Sequence, residues 1–166
     1  MSILHRTIAL YDRGTELLMK ADFLPLLVAR LSVGWVMVES GYGKLGNLSD
    51  VTEYFRSLGI PAPELQAPFA AGSELLFGAL LMIGLFTRMS AIPLMVIMTV
   101  AIITAKREDL GGLSDLFGFI EYLYIVLLLF LLVRGGGFLS VDRLLVWKRS
   151  RCAHTAAPMP EPVAAT

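Results

Sequence analysis

The chain has 166 residues and no net charge; 56% of its residues are hydrophobic, 17% are charged, and the mean hydropathy is +0.71. Soluble domains contain about 45–50% apolar and about 25% charged residues, so this composition is typical of a membrane protein. The 14 basic residues are balanced by 14 acidic residues, which argues against nucleic acid as a partner.

The first 22 residues precede any long apolar run. Leu4, Ile8 and Tyr11 recur at helical spacing with charged residues between them. This pattern predicts an amphipathic segment over residues 1–22 that lies on the cytoplasmic membrane surface.

Four apolar runs follow, and each is close to the ~20 residues that cross the hydrocarbon core of a bilayer. They predict four transmembrane helices within residues 23–134, over residues 23–45, 67–86, 89–105 and 117–133. The second and third runs are separated only by Thr87 and Arg88, so these two helices must be antiparallel neighbours. In the loop over residues 46–66, the sequence predicts a short amphipathic helix that ends at Gly59.

The segment after the fourth run begins with three glycines. Residues 135–149 are predicted to form a second interfacial helix, with Trp147 at the level of the headgroups. Residues 150–166, rich in alanine and proline, are predicted to be a disordered tail. The predicted fold is therefore all-α: an integral membrane four-helix bundle with short interfacial helices at both ends.

The distribution of basic residues predicts the orientation. The side with both termini carries Arg6, Arg13, Lys20, Arg88, Arg134, Arg143, Lys148, Arg149 and Arg151. The other side carries only Lys44, Arg56, Lys106 and Arg107. The positive-inside rule then places both termini in the cytoplasm.

Ionisable residues inside membrane segments are costly and usually mark a site or a partner. At about 1.5 Å per residue, Glu39 and Glu74 lie roughly 10 Å, and Glu121 roughly 6 Å, below the outer ends of their predicted helices. Lys44 and Lys106 fall at the same rim. We therefore expect these carboxylates and cations from all four helices to converge in the outer leaflet.

Small residues flank Glu74 on its own helix: Ala70, Ala71 and Gly78 lie at −4, −3 and +4. Such residues allow close helix contact, so Glu74 is predicted to face another helix rather than lipid. The acidic cluster would either bind a ligand and handle protons, or hold the helices together through hydrogen bonds and ion pairs.

Arg30 falls in the inner half of the first predicted helix, about 180° around the helix from Glu39. A buried arginine there needs a carbonyl, a carboxylate, an anionic headgroup or a ligand. It would serve either as a structural anchor or as part of the electrostatic field of a site.

Several motifs together resemble the DoxX family of small four-helix integral membrane proteins. They are Arg30-Leu31, Gly41-Tyr42-Gly43-Lys44-Leu45, Tyr54-Phe55, Leu58-Gly59-Ile60-Pro61, Glu74, Gly84-Leu85-Phe86-Thr87-Arg88, and the run from Gly135 to Asp142. The resemblance covers about residues 24–144 of this chain. It implies a protein of the bacterial or archaeal plasma membrane, linked to quinone oxidoreduction, thiosulfate oxidation or oxidative-stress complexes.

The cofactor content is limited by a single cysteine, Cys152, and two histidines, His5 and His154, all outside the apolar runs. Paired-histidine haem ligation in the bilayer, a CxxC redox centre, an iron–sulfur cluster and a His-rich metal site are therefore not expected within one chain. Any redox role would depend on quinone or on partner subunits.

The leading hypothesis is an accessory or anchoring subunit of a quinone-linked redox complex, associated with membrane or peripheral redox subunits or with further copies of itself. Glu39, Glu74 and Glu121 would handle protons or bind ring oxygens, while Arg30, Lys44 and Lys106 would supply positive charge. The alternatives are a non-catalytic scaffold or chaperone-like membrane protein, and a small transporter.

Overall fold

The computed structural model describes Thr15, residues 23–137 and residues 140–143. In residues 23–137 the order is α1 (Phe23–Gly46), α2 (Leu48–Ser57), α3 (Pro63–Ile83), α4 (Thr87–Ala105), α5 (Leu113–Gly118) and α6 (Ile120–Arg134). No strand occurs in the described part of the chain, and the predicted all-α fold is confirmed. The predicted N-terminal amphipathic segment, apart from Thr15, lies outside the described residues. So do the predicted tail over residues 150–166 and most of the predicted interfacial helix, namely residues 138–139 and 144–149.

Three of the helices, α1, α3 and α4, are long and apolar enough to cross a membrane. The fourth apolar run differs from the predicted single helix over residues 117–133. It is divided at Phe119, whose extended backbone (φ −77°, ψ 133°) separates the six-residue α5 from the 15-residue α6. At about 1.5 Å per residue, α6 measures about 22 Å, which is less than the ~30 Å hydrocarbon core. This division places Glu121 in the first turn of α6.

The helix α3 starts four residues before the predicted boundary of residue 67. Pro63 occupies the first helical position, where its missing N–H has no helical partner to lose. The helix ends at Gly84, which has a left-handed backbone with φ 71°. The amides of Gly84 and Leu85 donate to the carbonyls of Leu81 and Leu80, at 3.1 and 3.0 Å, in the pattern of a Schellman motif.

The helix α4 starts at Thr87, two residues earlier than predicted. The earlier start places Pro93 in the interior of the helix rather than in its first turn. A proline there leaves the carbonyl four residues before it without its usual helical donor, as transmembrane helices tolerate.

The backbones of α1 and α3 approach each other closely. A Cβ atom on Gly41 would lie 2.5 Å from the amide nitrogen of Leu75 and 2.7 Å from the carbonyl oxygen of Ala71. A Cβ atom on Gly78 would lie 2.8 Å from the Cβ atom of Met37. The two helices therefore touch through small residues, as membrane helices commonly do.

The four long helices form a ring in chain order. The helix α1 packs mainly on α3, α3 on α4, and α4 on α6, while α6 closes the ring with a smaller contact to α1. The buried centre contains Leu26, Ala29, Val33, Met37, Leu81, Ala91, Leu94, Met98, Leu128 and Leu131. The short helix α2 lies against α3 and α1 at the end of the bundle where α1 ends.

The opposite end of the bundle is closed by Asp142. Its carboxylate accepts hydrogen bonds from the amides of Phe86 and Thr87 at 2.7 and 3.0 Å, and its own amide donates to the carbonyl of Gly84 at 3.0 Å. Asp142 therefore caps the N-terminus of α4 from 55 residues away in sequence. The chain after α6 is thereby fixed to the α3–α4 turn.

The glycine contact predicts a strong difference between two neighbouring positions on α1. Gly41→Ala should lower the unfolding free energy in detergent by about 1–3 kcal/mol, because the added methyl group collides with the backbone of α3. Gly43→Ala is the matched control, because nothing lies within 4 Å of a Cβ atom at Gly43. The control should be neutral or raise stability by up to about 1 kcal/mol. Equal effects at both positions would contradict the close packing.

The predicted orientation is tested by the accessibility of single cysteines. Glu53→Cys, on the exposed face of α2, is introduced in a Cys152→Ser background and compared with the native Cys152. With cytoplasmic termini, a membrane-impermeant maleimide should label the cysteine at position 53 in intact spheroplasts. It should label Cys152 only after permeabilisation. The reverse pattern would invert the orientation.

Candidate functional site

A cavity of about 410 Å³ opens at the end of the bundle where α1 ends and α3 begins. Its walls come from α1, α2, α3, α4 and α6 together with Leu58 and Ile60. Most of these side chains are apolar, including Val36, Phe55, Leu58 and Ala101. The volume lies within the range of small-molecule sites, about 300–1,000 Å³, and such sites combine apolar walls with few polar groups.

Glu74 is the most buried polar group of this cavity, with 0% exposure. Lys44 Nζ lies 2.5 Å from its Oε1 and 2.7 Å from its Oε2, and Ser40 Oγ donates to Oε2 at 2.9 Å. Both carboxylate oxygens therefore already accept hydrogen bonds from the protein. The prediction that Glu74 faces another helix is confirmed, because both donors belong to α1.

Lys44 and Ser40 lie one turn apart on the last part of α1 and so share a face of that helix. The side chain of Lys44 is 32% exposed, whereas that of Glu74 is fully buried. A buried carboxylate needs such compensation, since an unpaired charge in a low-dielectric interior is very costly.

Glu121 also lines the cavity, from the first turn of α6. Its Oε2 atom is shielded from solvent and has no hydrogen-bond partner among the residues that the structure describes. Glu74 and Glu121 therefore have opposite environments within one cavity. Both oxygens of the first carboxylate accept hydrogen bonds from α1, whereas Oε2 of the second accepts none from the described residues.

The remaining predicted charges at this end lie outside the cavity. Glu39 is exposed and borders a shallow depression on α1 together with Gly43 and Asn47. Lys106 follows α4, and its Nζ lies 5.8 Å from the centre of the Phe119 ring, within the distance of a cation–π contact. The predicted convergence at one end thus brings Lys44, Glu74 and Glu121 into one cavity but not Glu39 or Lys106.

Arg30 belongs to the opposite end of the bundle and does not line the cavity. Its side chain is buried, with 3% exposure, and its NH1 group donates to the carbonyl of Gly136 at 2.7 Å. A Cβ atom on Gly84 would collide with this guanidinium group, and Asp142 interacts with it electrostatically. A backbone carbonyl was among the partners expected for Arg30. Its contacts connect α1 to the loop over residues 135–137 and to the α3–α4 turn, which is a structural role.

Two features of the site were not foreseen from the sequence. One is Ser40, whose spacing of four residues from Lys44 was the available signal. The other is the contribution of α2, whose Val51, Tyr54 and Phe55 line the cavity. No group of three or more His, Cys, Asp or Glu residues that could hold a metal ion occurs within the described ranges.

The ion pair predicts a measurable coupling between α1 and α3. Glu74→Gln should lower the unfolding free energy in detergent by roughly 1–3 kcal/mol, because a charge-assisted pair is replaced by weaker neutral contacts. Lys44→Met should also destabilise, and the double variant should lose less than the two single losses combined. Glu64→Gln is the control, since its pair with Arg56 is exposed and should change stability little. Additive losses would contradict a direct pair.

Comparisons with known proteins agree with the membrane fold. The family model described as DoxX matches residues 25–107, and the model described as TQO small subunit DoxD matches residues 69–157. No solved structure matched the chain significantly.

Three curated relatives cover most of the chain. An uncharacterized protein of Haemophilus influenzae is 32% identical over 124 residues, which is 72% of this chain and 82% of the relative. An uncharacterized membrane protein of Mycobacterium tuberculosis is 31% identical over 147 residues, covering 81% of this chain and 90% of its own. The inner membrane protein YphA of Escherichia coli is 31% identical over 124 residues, covering 71% and 88%. Since the DoxX model and these relatives match half of the chain or more, the protein belongs to the DoxX family of membrane proteins.

Proposed function

We propose that this protein is an integral inner-membrane subunit of a quinone-linked redox complex, and that the cavity at the Lys44 end receives the quinone ring. The match to the DoxD model, a subunit of a thiosulfate:quinone oxidoreductase, is the observation that carries the proposal. The cavity supports it with a volume of about 410 Å³ and a mainly apolar lining.

The chemistry of the cavity suits a quinone, which is an apolar ring with two oxygen atoms. Lys44 has three N–H donors, and two of its contacts are with Glu74. Since its side chain is 32% exposed, a further donor is available to a ring oxygen. The apolar walls would hold the ring and exclude water.

Electrons would reach the quinone from another subunit. The chain has one cysteine and two histidines, all outside its apolar runs, so it offers no ligand set for haem or an iron–sulfur cluster. The protein would anchor that redox subunit at the bacterial inner membrane, the location named for the relative YphA. With cytoplasmic termini, the cavity would lie in the outer half of the bilayer.

A non-catalytic scaffold is the second candidate, and one observation favours it. The contacts among Lys44, Ser40 and Glu74 are complete without a ligand, so this cluster serves the α1–α3 interface whether or not anything binds nearby. A scaffold would retain partner proteins but would not need the cavity.

The first test is purification from native membranes with mild detergent, followed by mass spectrometry and lipid extraction. The proposed function predicts a redox partner subunit and a co-purified quinone. A partner without quinone would favour the scaffold, and bare protein without either would overturn the proposed function.

A second test fills the cavity. Ala101→Phe places a ring in the cavity wall and should reduce the amount of co-purified quinone by about tenfold, equivalent to about 1.4 kcal/mol of lost binding. Ile103→Phe is the control on the same helix, because Ile103 is 62% exposed and does not line the cavity. Partner recovery and thermal stability are measured for both variants to establish folding. Equal quinone contents in the two variants would place the quinone elsewhere.

A further inference from the structure

We propose that Glu121, rather than Glu74, is the carboxyl group that binds the ligand in the cavity, and that the ligand is a bilayer-soluble amphiphile with a hydroxyl on its polar ring. Only the identity of that ring as a reduced quinone rests on the proposed function. The hydroxyl donates a hydrogen bond to Glu121, and the apolar part of the ligand lies along α4.

The first step of the argument is that Glu74 is already occupied. Its two oxygens accept hydrogen bonds from Lys44 and Ser40, and its side chain is fully buried. A ligand that used Glu74 would have to displace contacts that hold α1 against α3. Removing one member of such a buried pair is unfavourable because the other is left uncompensated.

The second step is that Glu121 has an unmade hydrogen bond at the wall of the same cavity. Its Oε2 atom is shielded from solvent and lacks a hydrogen-bond partner within the part of the chain that the structure describes. Buried polar atoms are nearly always partnered, and leaving one unpartnered costs its full desolvation energy. Glu121 lines the cavity, and a rotation of its side chain that turns this oxygen toward the cavity would let a ligand hydroxyl recover that energy.

The third step concerns the position of Glu121 relative to the other polar groups. Glu121 contributes from α6 and Lys44 from α1, and no ion pair joins them among the described residues. The cavity therefore presents a carboxyl acceptor on one wall and an ammonium donor on another. This pair matches a ring with a hydroxyl at one position and a second oxygen elsewhere, and the remaining lining is mainly apolar.

The fourth step identifies the source of the ligand. Phe69 on α3 and Val96 and Val100 on α4 line the cavity, and they are also exposed on the bundle surface by 74%, 56% and 43%. The cavity thus reaches the apolar surface of the bundle between these two helices. A ligand dissolved in the bilayer can enter there, and an alkyl tail can remain in contact with lipid while the ring meets Glu121 and Lys44.

The test measures equilibrium binding of decylubiquinol and of 4-dodecylphenol to the full chain in lipid nanodiscs. The variants are Glu121→Leu, which removes the acceptor, and Glu121→Gln, which keeps one. Glu39→Gln is the control, because Glu39 is exposed and outside the cavity. We expect Glu121→Leu to weaken binding at least about tenfold, Glu121→Gln to weaken it less, and the control to bind like the wild type.

Thermal stability separates a ligand-binding role from a structural one. Glu121 is partly buried, and its shielded Oε2 atom has no hydrogen-bond partner among the described residues. Replacing it with an apolar side chain of similar size removes the desolvation cost of that atom. Glu121→Leu should therefore keep or raise the melting temperature while it weakens binding. A lowered melting temperature with unchanged binding would make Glu121 structural and overturn the inference.

The two probes separate this inference from the proposed function. Binding of both probes without dependence on Glu121 would overturn the inference and leave quinol binding intact. Glu121-dependent binding of 4-dodecylphenol, with no binding of decylubiquinol, would support the inference and overturn the quinone assignment. Binding of neither probe would overturn the inference, while native co-purification of a quinone still decides the proposed function.

Discussion

The contact between α1 and α3 is the constraint on which the site depends. Glycines at positions 41 and 78 let the two backbones approach until a single methyl group would collide. This approach encloses Glu74 completely, so its carboxylate must be compensated from within the protein. Lys44 and Ser40, one turn apart on the facing helix, supply that compensation. Close packing and the buried ion pair are therefore two consequences of the same small residues.

The two ends of the bundle differ in the hydrogen bonds that their buried polar groups make. At one end, Asp142 caps α4 and Arg30 binds the carbonyl of Gly136, so the loops there are tied to the helices. At the other end, the helices leave a cavity of about 410 Å³ beneath α2. Glu121 lines that cavity, and its shielded Oε2 atom has no hydrogen-bond partner in the described residues. This asymmetry is the reason for which we propose a ligand site at the Lys44 end and a structural role for the charges at the Arg30 end.

The two carboxylates of the cavity illustrate how environment divides roles between identical groups. Glu74 holds α1 and α3 together because both of its oxygens accept hydrogen bonds from α1. Glu121 lies in the first turn of its helix, and its Oε2 atom has no partner in the described residues. The extended backbone of Phe119 delays the start of that helix, α6, and so places Glu121 at the cavity wall. This division reconciles the scaffold and ligand-site interpretations, since each describes a different carboxylate.

Apolar periodicity and length were enough to predict an all-α membrane protein, because the bilayer thickness imposes them locally on each segment. The small residues around Glu74 likewise predicted that it faces a helix, since residues at −4, −3 and +4 share one helical face. Several other features are not local. Three examples are the break at Phe119, the exposure of Glu39 and the position of Lys106 beside the Phe119 ring. Each depends on how a helix is rotated about its axis and on where the chain turns between helices.

The sequence by itself determined that the chain is an all-α membrane protein and which end of the bundle carries each charge, because these follow from hydropathy and chain direction. Only the tertiary structure decided which charges have partners. Lys44 and Ser40 reach Glu74 because glycines let the backbones of α1 and α3 come into contact. No described side chain lies where it could form a hydrogen bond with the Oε2 atom of Glu121. Whether a polar group finds a hydrogen-bond partner depends on the distances between helices, and residue spacing along one helix does not specify those distances.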